Sequence, residues 1–247
     1  MINLEELNLC LQIARSNTTF IDGNQLYNQF LISMTKLKKF TFNINTFVHY
    51  RNVNVELQSN EEIQRSFTGR FYQEVFSHVK INPSERVGEC HIYSLPYNFE
   101  YYFNVDNSFS GGRFEKVRQL RMYDPFGFTF ELFHRISQDF PCLEYLNITN
   151  GRAMRVKPDL CTSVITFPYL KFLNLREAHD DYGVFFLLKQ YVHLPQLACL
   201  RVRQASLEKI TKNFTSDPMT LNLSKVKDLN VGLWFAPLAT FHMYFSA

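Results

Sequence analysis

Apolar residues along this chain recur in a six-residue pattern in which positions one, four and six are apolar. The starting residues of its eight copies are Leu4, Leu37, Val87, Val117, Leu143, Leu170, Leu197 and Val226. The last five copies are the regular ones, because they start 26, 27, 27 and 29 residues apart. The last two apolar residues of a copy flank one polar residue, and alternation with a period of two predicts a strand with one buried face.

The segments between copies are long enough to return the chain to the same end of a sheet. About 20 residues separate successive strands among the last five copies, whereas a parallel connection needs about a dozen. Because one face of each strand is polar, a curved sheet with one open face is favoured over a sheet covered on both faces. The predicted parallel strands lie near residues 6–9, 39–42, 89–92, 119–122, 145–148, 172–175, 199–202 and 228–231.

Several of these connections are predicted to be helical. A helix is expected over residues 60–79, after a cap at Ser59 or Asn60, with an apolar face of Ile63, Phe67, Phe71 and Val75. A second helix is expected from a cap at Asp180 or Asp181 to about His193.

Proline residues and an alternating segment refine this prediction. Pro141, Pro168 and Pro195 each come two residues before the first leucine of a copy, where proline ends the connection and starts the next strand. The alternating Val53, Val55 and Leu57 indicate an additional strand in the irregular stretch.

The period and consensus of the pattern predict the fold class. A period of about 20–29 residues with this consensus is the signature of leucine-rich repeats. We therefore expect an α/β fold, an irregular leucine-rich-repeat solenoid (horseshoe) with a parallel concave sheet and helical crossovers. It forms a single domain over residues 1–247, irregular in 43–86 and regular in 117–231. Because Leu4, Leu7 and Leu9 lack a preceding polar cap, residues 1–36 are expected to fray or to associate with another chain.

Composition agrees with a folded chain and gives little chemistry. Hydrophobic residues make up 46% and charged residues 20%, which are globular values. With 25 Phe and 13 Tyr against one Trp, ring packing must fill much of the core. The net charge of +3 is too small to argue for nucleic-acid binding by itself.

The cysteines and the N-terminus bear on localisation. Five cysteines, an odd number without a C-x-x-C pair, favour a reducing compartment over a disulfide framework: Cys10, Cys90, Cys142, Cys161 and Cys199. The chain begins without a basic segment followed by an apolar run, and no stretch approaches the ~20 apolar residues of a membrane helix. We expect an intracellular protein, in the cytoplasm or nucleus, with no membrane association.

Two of the copies point to a family. FPCLEYLNI at residues 140–148 and FPYLKFLNL at residues 167–175, each followed by a predicted helical connection, resemble the leucine-rich-repeat region of F-box proteins, the substrate receptors of cullin-based ubiquitin ligases. The resemblance extends over essentially the whole chain, although the F-box itself is not found in it. It implies a protein that captures substrates, with a ligase adaptor as a partner only if an F-box lies upstream.

The polar strand positions supply the candidate binding residues. They combine arginine and aromatic residues, which are over-represented at binding hot spots, and include no acidic residue. The predicted partner-binding residues are Arg121, Tyr123, Tyr145, Asn147, Phe172, Asn174, Arg176, Arg201 and Arg203. Gln119, Thr149 and Cys199 share the face. Asn recurs at the polar position between the last two apolar residues of several copies. These asparagines are expected either to form a structural ladder of amides or to contact a ligand, and the sequence does not favour one of the two.

The sequence carries no recognisable catalytic pattern. The cluster His179-Asp180-Asp181 is explained by helix capping, and no histidine or cysteine spacing of a zinc site occurs. Neither G-x-S-x-G nor a phosphate-binding glycine motif is present. We therefore expect no catalytic residue, cofactor or metal, and predict a non-enzymatic protein-interaction domain whose partner is an acidic or aromatic-containing protein segment. The alternative is single-stranded nucleic acid bound through arginine and aromatic stacking.

Overall fold

The structure, a computed structural model, describes residues 4–50, 56–68, 74–82, 85–155, 163–232 and 243–245. The chain forms two compact units, residues 1–99 and 100–247, which are described separately. Whether they behave as the single predicted domain stays a prediction.

The first unit contains one four-stranded mixed sheet of order β1-β2-β4-β3. Only the β1–β2 pair is parallel, whereas β4 runs antiparallel to both β2 and β3. Its elements in chain order are β1 (Glu6–Ser16), α1 (Gly23–Gln29), β2 (Lys39–His49), α2 (Asn60–Ser66), β3 (Val75–Asn82) and β4 (Val87–Ser94).

The antiparallel pairs show that the predicted solenoid is wrong. Only residues 83–86 connect β3 to β4, too few for the crossover that a parallel pair requires. The copy of the pattern at Val87 therefore belongs to a hairpin and not to a repeat. What remains of the predicted fold class is that the chain is α/β, with both parallel and mixed sheets.

The predicted helix over residues 60–79 is also wrong. It begins at its capping box, in which Ser59 and Glu62 bond each other's backbone N–H, but it ends at Ser66. Val75 instead starts β3. Strand pairing with β4 outweighs the four-residue spacing of apolar residues, which had predicted a helix. One residue of the predicted helix, Phe71, lies outside the described residues. The predicted additional strand is only partly described: Val53 and Val55 lie outside the described residues, and Leu57 lies in a segment without regular structure.

The second unit contains a six-stranded, wholly parallel sheet of order β12-β11-β9-β7-β6-β5. A separate two-stranded parallel sheet pairs β8 with β10. The elements in chain order are β5 (Tyr101–Val105), β6 (Gln119–Tyr123), α3 (Phe130–Asp139), β7 (Tyr145–Asn150), β8 (Ile165–Thr166), β9 (Phe172–Ala178), α4 (Asp180–Leu187), β10 (Val192–His193), β11 (Cys199–Arg201), α5 (Gln204–Thr211) and β12 (Asp228–Asn230).

The predicted positions of the last five parallel strands are confirmed. They are β6, β7, β9, β11 and β12, and each copy of the pattern enters its strand in the same way. The N–H of its first apolar residue closes a tight turn, as Leu143 does on the carbonyl of Phe140 at 3.2 Å and Leu197 on that of Leu194 at 3.4 Å. Proline at the second position of such a turn fits its backbone. The prolines therefore mark strand entry, as predicted.

A backbone carbonyl just before each strand then accepts hydrogen bonds from the start of the neighbouring strand and so aligns the two strands. The carbonyl of Glu144 accepts from the N–H groups of both Lys171 and Phe172, at 2.9 and 3.0 Å. The carbonyl of Lys171 likewise accepts from Ala198 and Cys199, both at 2.9 Å. This paired bond sets the register at the start of every strand pair in the series.

Aromatic rings fill the core of the second unit, as the composition predicts. Phe133 of α3 is fully buried and lies 5.1 and 5.2 Å, centroid to centroid, from Phe185 and Phe186 of α4. The expected helix to His193 ends earlier, at Leu187. The predicted cap at Asp180 or Asp181 is also wrong, because the side chain of His179 caps the helix by accepting from the N–H of Asp181. Leu188 leaves the helix to bridge to Leu221.

Candidate functional site

The two faces of the six-stranded sheet have opposite character. Leu120, Leu146, Leu173 and Leu200 are fully buried on one face. This is the helix side, since Tyr102 of β5 contacts Phe140 at the end of α3 with ring centroids 5.5 Å apart. The alternate residues point to the other face, where they are exposed or half-buried: Gln119, Arg121, Tyr123, Tyr145, Asn147, Thr149, Phe172, Asn174, Cys199 and Arg201. We call these ten residues the open face.

The strand register arranges the open face in rows across the sheet. The first row consists of Tyr101, Gln119, Tyr145, Phe172, Cys199 and Asp228. The second row consists of Arg121, Asn147, Asn174, Arg201 and Asn230. Most of the predicted binding residues therefore lie together, in adjacent rows.

Aromatic and arginine side chains are packed on one another in these rows. The rings of Tyr145 and Phe172 stack at 4.3 Å with an interplanar angle of 11°. The guanidinium carbon of Arg201 lies 4.9 Å from the centroid of Phe172, and that of Arg121 lies 5.6 Å from the centroid of Tyr101. Contacts of this kind between a cation and a ring hold each arginine over the sheet and leave its N–H groups available to a ligand.

The central asparagines do not form a simple ladder. The Oδ1 atom of Asn174 accepts from the N–H of Arg176 at 3.2 Å, within its own strand. Asn230 repeats this local bond by accepting from the N–H of Gly232 at 3.3 Å. Asn147 and Asn174 are nevertheless in register at the centre of the second row.

A register shift in β9 changes the charge of the surface. Asn147 pairs with Asn174, but Thr149 pairs with Glu177, so β9 has one residue more than β7 between these pairs. The bulge exposes both Arg176 and Glu177. The expectation that no acid shares this surface between Val117 and Val202 is therefore wrong, because Glu177 lies along it. Asp228 adds a second acid on β12.

Asp228 also contacts the neighbouring thiol of Cys199. The Sγ of Cys199 donates to Oδ2 of Asp228 at 3.0 Å. Burial first, and then this carboxylate, raise the pKa of Cys199 to about 12. The thiol is therefore a hydrogen-bond donor at neutral pH and not a nucleophile.

Arg203 differs from the other predicted binding residues. It lies at the N-cap of α5, and its Nη2 donates to the carbonyl of Ala178 at 2.8 Å and to Oδ1 of Asp180 at 3.0 Å. Ser206 also donates to Asp180, and this bond, followed by the nearby Arg203, holds the pKa of that carboxyl below its usual range. Arg203 thus joins α5 to the start of α4.

Sequence reasoning missed three residues that lie in these rows or beside them. Tyr101 lies on β5, which lacks the leucine pattern, and its segment YYFNV does not alternate between apolar and polar residues. Glu177 was hidden by the bulge, which no sequence pattern reveals. Asp228 was visible as the residue before the central leucine of β12.

Among the residues that the structure describes, no three His, Cys, Asp or Glu side chains are grouped closely enough to hold a metal ion. In the same part of the chain, no helix has the length and apolar character needed to cross a membrane.

Comparisons with known proteins were made at the level of families, sequences and structures. No protein-family model, curated protein or solved structure matches this chain. The resemblance to F-box proteins therefore stays a prediction.

Proposed function

We propose that the open face binds an extended, acidic segment of a protein partner. The observation that carries this proposal is the part of the second row from β6 to β11, in which Asn147 and Asn174 lie between Arg121 and Arg201. The row crosses from β6 to β11 in three strand-to-strand steps, or about 14 Å. Both arginines are exposed.

This spacing selects a particular arrangement of acidic residues. An extended chain rises about 3.4 Å per residue, so two acidic side chains four residues apart are separated by about 14 Å. Each carboxylate would meet one guanidinium, which donates two parallel bonds to such a group. The amides of Asn147 and Asn174 would bond the backbone of the segment between them.

The first row supplies the apolar part of the contact. The stacked rings of Tyr145 and Phe172 are half-buried, so their outer surface is available to an apolar side chain of the partner. Aromatic residues beside arginine are the composition of binding hot spots.

The number of cations on this surface favours a protein over nucleic acid. Arg203 is paired with Asp180, and Glu177 and Asp228 lie along the same surface, so Arg121 and Arg201 match a segment with two carboxylates better than a strand with a phosphate at every nucleotide. Single-stranded nucleic acid remains the alternative, supported by the stacking of arginine on aromatic rings. Its affinity would fall steeply with salt, since counterions are released on binding.

A role in ubiquitin ligation and an intracellular location belong to the same proposal. The free thiols of Cys10, Cys90, Cys142 and Cys199 support a reducing compartment, and Cys161 lies outside the described residues. Capture of cullin-ligase subunits from cell extract by a longer chain that includes an upstream F-box, and not by this chain alone, is the direct measure of the ligase role.

Selection from a random peptide library on the immobilised protein tests the binding proposal. We expect enriched peptides to carry two acidic residues four apart, and the variant Arg121→Gln/Arg201→Gln to lose them by at least about tenfold in affinity. Arg113→Gln is the matched control, because Arg113 is exposed and paired with Glu115 in the loop before β6. Enriched peptides without acidic residues, or equal binding by the double variant, would contradict the proposal.

A further inference from the structure

The outer edge of β1 in the first unit is long and regular. β1 pairs with β2 over eleven consecutive residues, Glu6 to Ser16, without a bulge. In the part of the chain that the structure describes, β1 has no second strand neighbour, since it stands at the end of the sheet. An edge of this kind is a template for pairing with another strand.

Backbone hydrogen bonds show which residues face this edge. The carbonyl of Glu5 accepts from Lys39, and the N–H of Asn17 donates to the carbonyl of His49. In a strand, the backbone groups of alternate residues point to opposite sides, so the odd-numbered residues bond β2. The even-numbered residues direct their N–H and C=O groups outward: Glu6, Asn8, Cys10, Gln12, Ala14 and Ser16.

The side chains of β1 lack the usual protection of an edge. Natural edges carry central lysine or proline residues, or a bulge. The charged residues of β1 are Glu6 and Arg15, near its two ends, whereas the other edge strand, β3, carries Lys80 within its pairing region. Leu7, Leu9 and Ile13 are half-buried against the core of the unit, and Leu11 remains 37% exposed.

We propose that two copies of this chain associate by antiparallel pairing of their β1 strands, centred on Cys10. In this register Leu7 faces Ile13 of the second copy and Leu9 faces Leu11, so the apolar row continues across the dimer. On the other face Asn8 meets Gln12, which matches amide with amide. The pairing forms about ten backbone hydrogen bonds and joins two four-stranded sheets into one of eight strands.

Neighbouring registers are less complementary. Centring the pair on Leu11 places Leu7 opposite the charged Arg15. Centring it on Leu9 places Glu5 opposite Ile13. A shift by one residue would put apolar side chains opposite polar ones on both faces. The self-complementary register is therefore centred on Cys10. Because β1 matches its own sequence in this register, the partner of the edge is a second copy of the chain.

Sedimentation velocity of the full chain over a wide concentration range tests the dimer. We expect wild type and Gln12→Ala to dimerise, and Gln12→Pro to raise the dissociation constant by at least about tenfold. The N–H of Gln12 points outward, so proline there removes no bond to β2. Leu11→Lys is a second variant, which places a charge opposite Leu9 without changing the backbone, and it should also be monomeric.

Oxidative cross-linking tests the register. Directly paired residues of antiparallel strands have Cα atoms about 5.5 Å apart, within reach of a disulfide. Copper-phenanthroline treatment should therefore link Cys10 to Cys10, identified by mass spectrometry of the joined peptides. A monomeric wild type, a dimer that persists in both variants, or a dimer that yields no Cys10 cross-link would overturn the proposal.

Discussion

Leu173 tests the assignment of the two faces of the six-stranded sheet. Its side chain is fully buried at the centre of the helix side, between Leu146 of β7 and Leu200 of β11 in register. Leu173→Ala removes three carbon atoms, or about 2.4 kcal/mol of transfer free energy at about 0.8 kcal/mol each. A cavity adds to this cost, and the observed range for such changes is about 2–5 kcal/mol. Because β9 is bonded to strands on both sides, its backbone is held against collapse into the cavity, so we expect the upper part of this range.

Asn174→Ala is the matched control on the open face. It is half-exposed, and its loss removes one hydrogen bond, to the N–H of Arg176, worth about 0.5–1.5 kcal/mol. Urea unfolding followed by circular dichroism would give both free energies, with an unchanged m-value showing that the same surface is exposed. Equal losses in the two variants would refute the assignment of the faces.

Two further predictions concern titratable groups. Burial lowers the pKa of His91 to about 3, so the folded form stays neutral while the unfolded form takes up a proton below pH 6.5. Stability should therefore fall as the pH drops below 6.5, by up to about 1.4 kcal/mol per pH unit, and His91→Gln should flatten this dependence in urea titrations; an unchanged slope would contradict it. Because burial and Asp228 raise the pKa of Cys199 to about 12, alkylation of Cys199 at pH 8 should be slow, and Asp228→Asn should accelerate it in peptide mass spectrometry. Equal alkylation rates in wild type and variant would show that Asp228 does not control the thiol.

The sequence pattern located five strands of the six-stranded sheet, β6, β7, β9, β11 and β12, because each has one buried and one open face. Leu146 and Leu173 show this clearly, since the polar residue between apolar neighbours is visible without knowledge of the fold. The same pattern failed at Val87, where pairing depends on how few residues connect β3 to β4 and not on which side chains are apolar. Sequence periodicity reports burial, and strand direction is decided by the connections.

The sequence predicted which residues share the binding face, but not how they are aligned with one another across the strands. Alternation placed Arg121, Asn147 and Arg201 on one face, yet the row that aligns them depends on the register of three strand pairs. Arg203 follows the alternation of β11 but lies beyond its end, where the start of α5 directs it to Asp180. Nothing in the sequence indicates the bulge at Arg176, because either Arg176 or Glu177 could be the exposed polar residue that the alternation requires.

The carbonyls that each accept from two N–H groups, such as that of Glu144, fix where each strand begins. Insertions before the turn and insertions between the turn and the strand should therefore have different effects during evolution. Each strand begins at a fixed distance from its turn, so an inserted residue in a connection before the turn leaves the alignment of Phe172 with Tyr145 intact. The spacings of 26 to 29 residues between copies are such variation. An insertion between the turn and the strand would instead exchange the buried and open residues of that strand, so natural length variation should be confined to the connections.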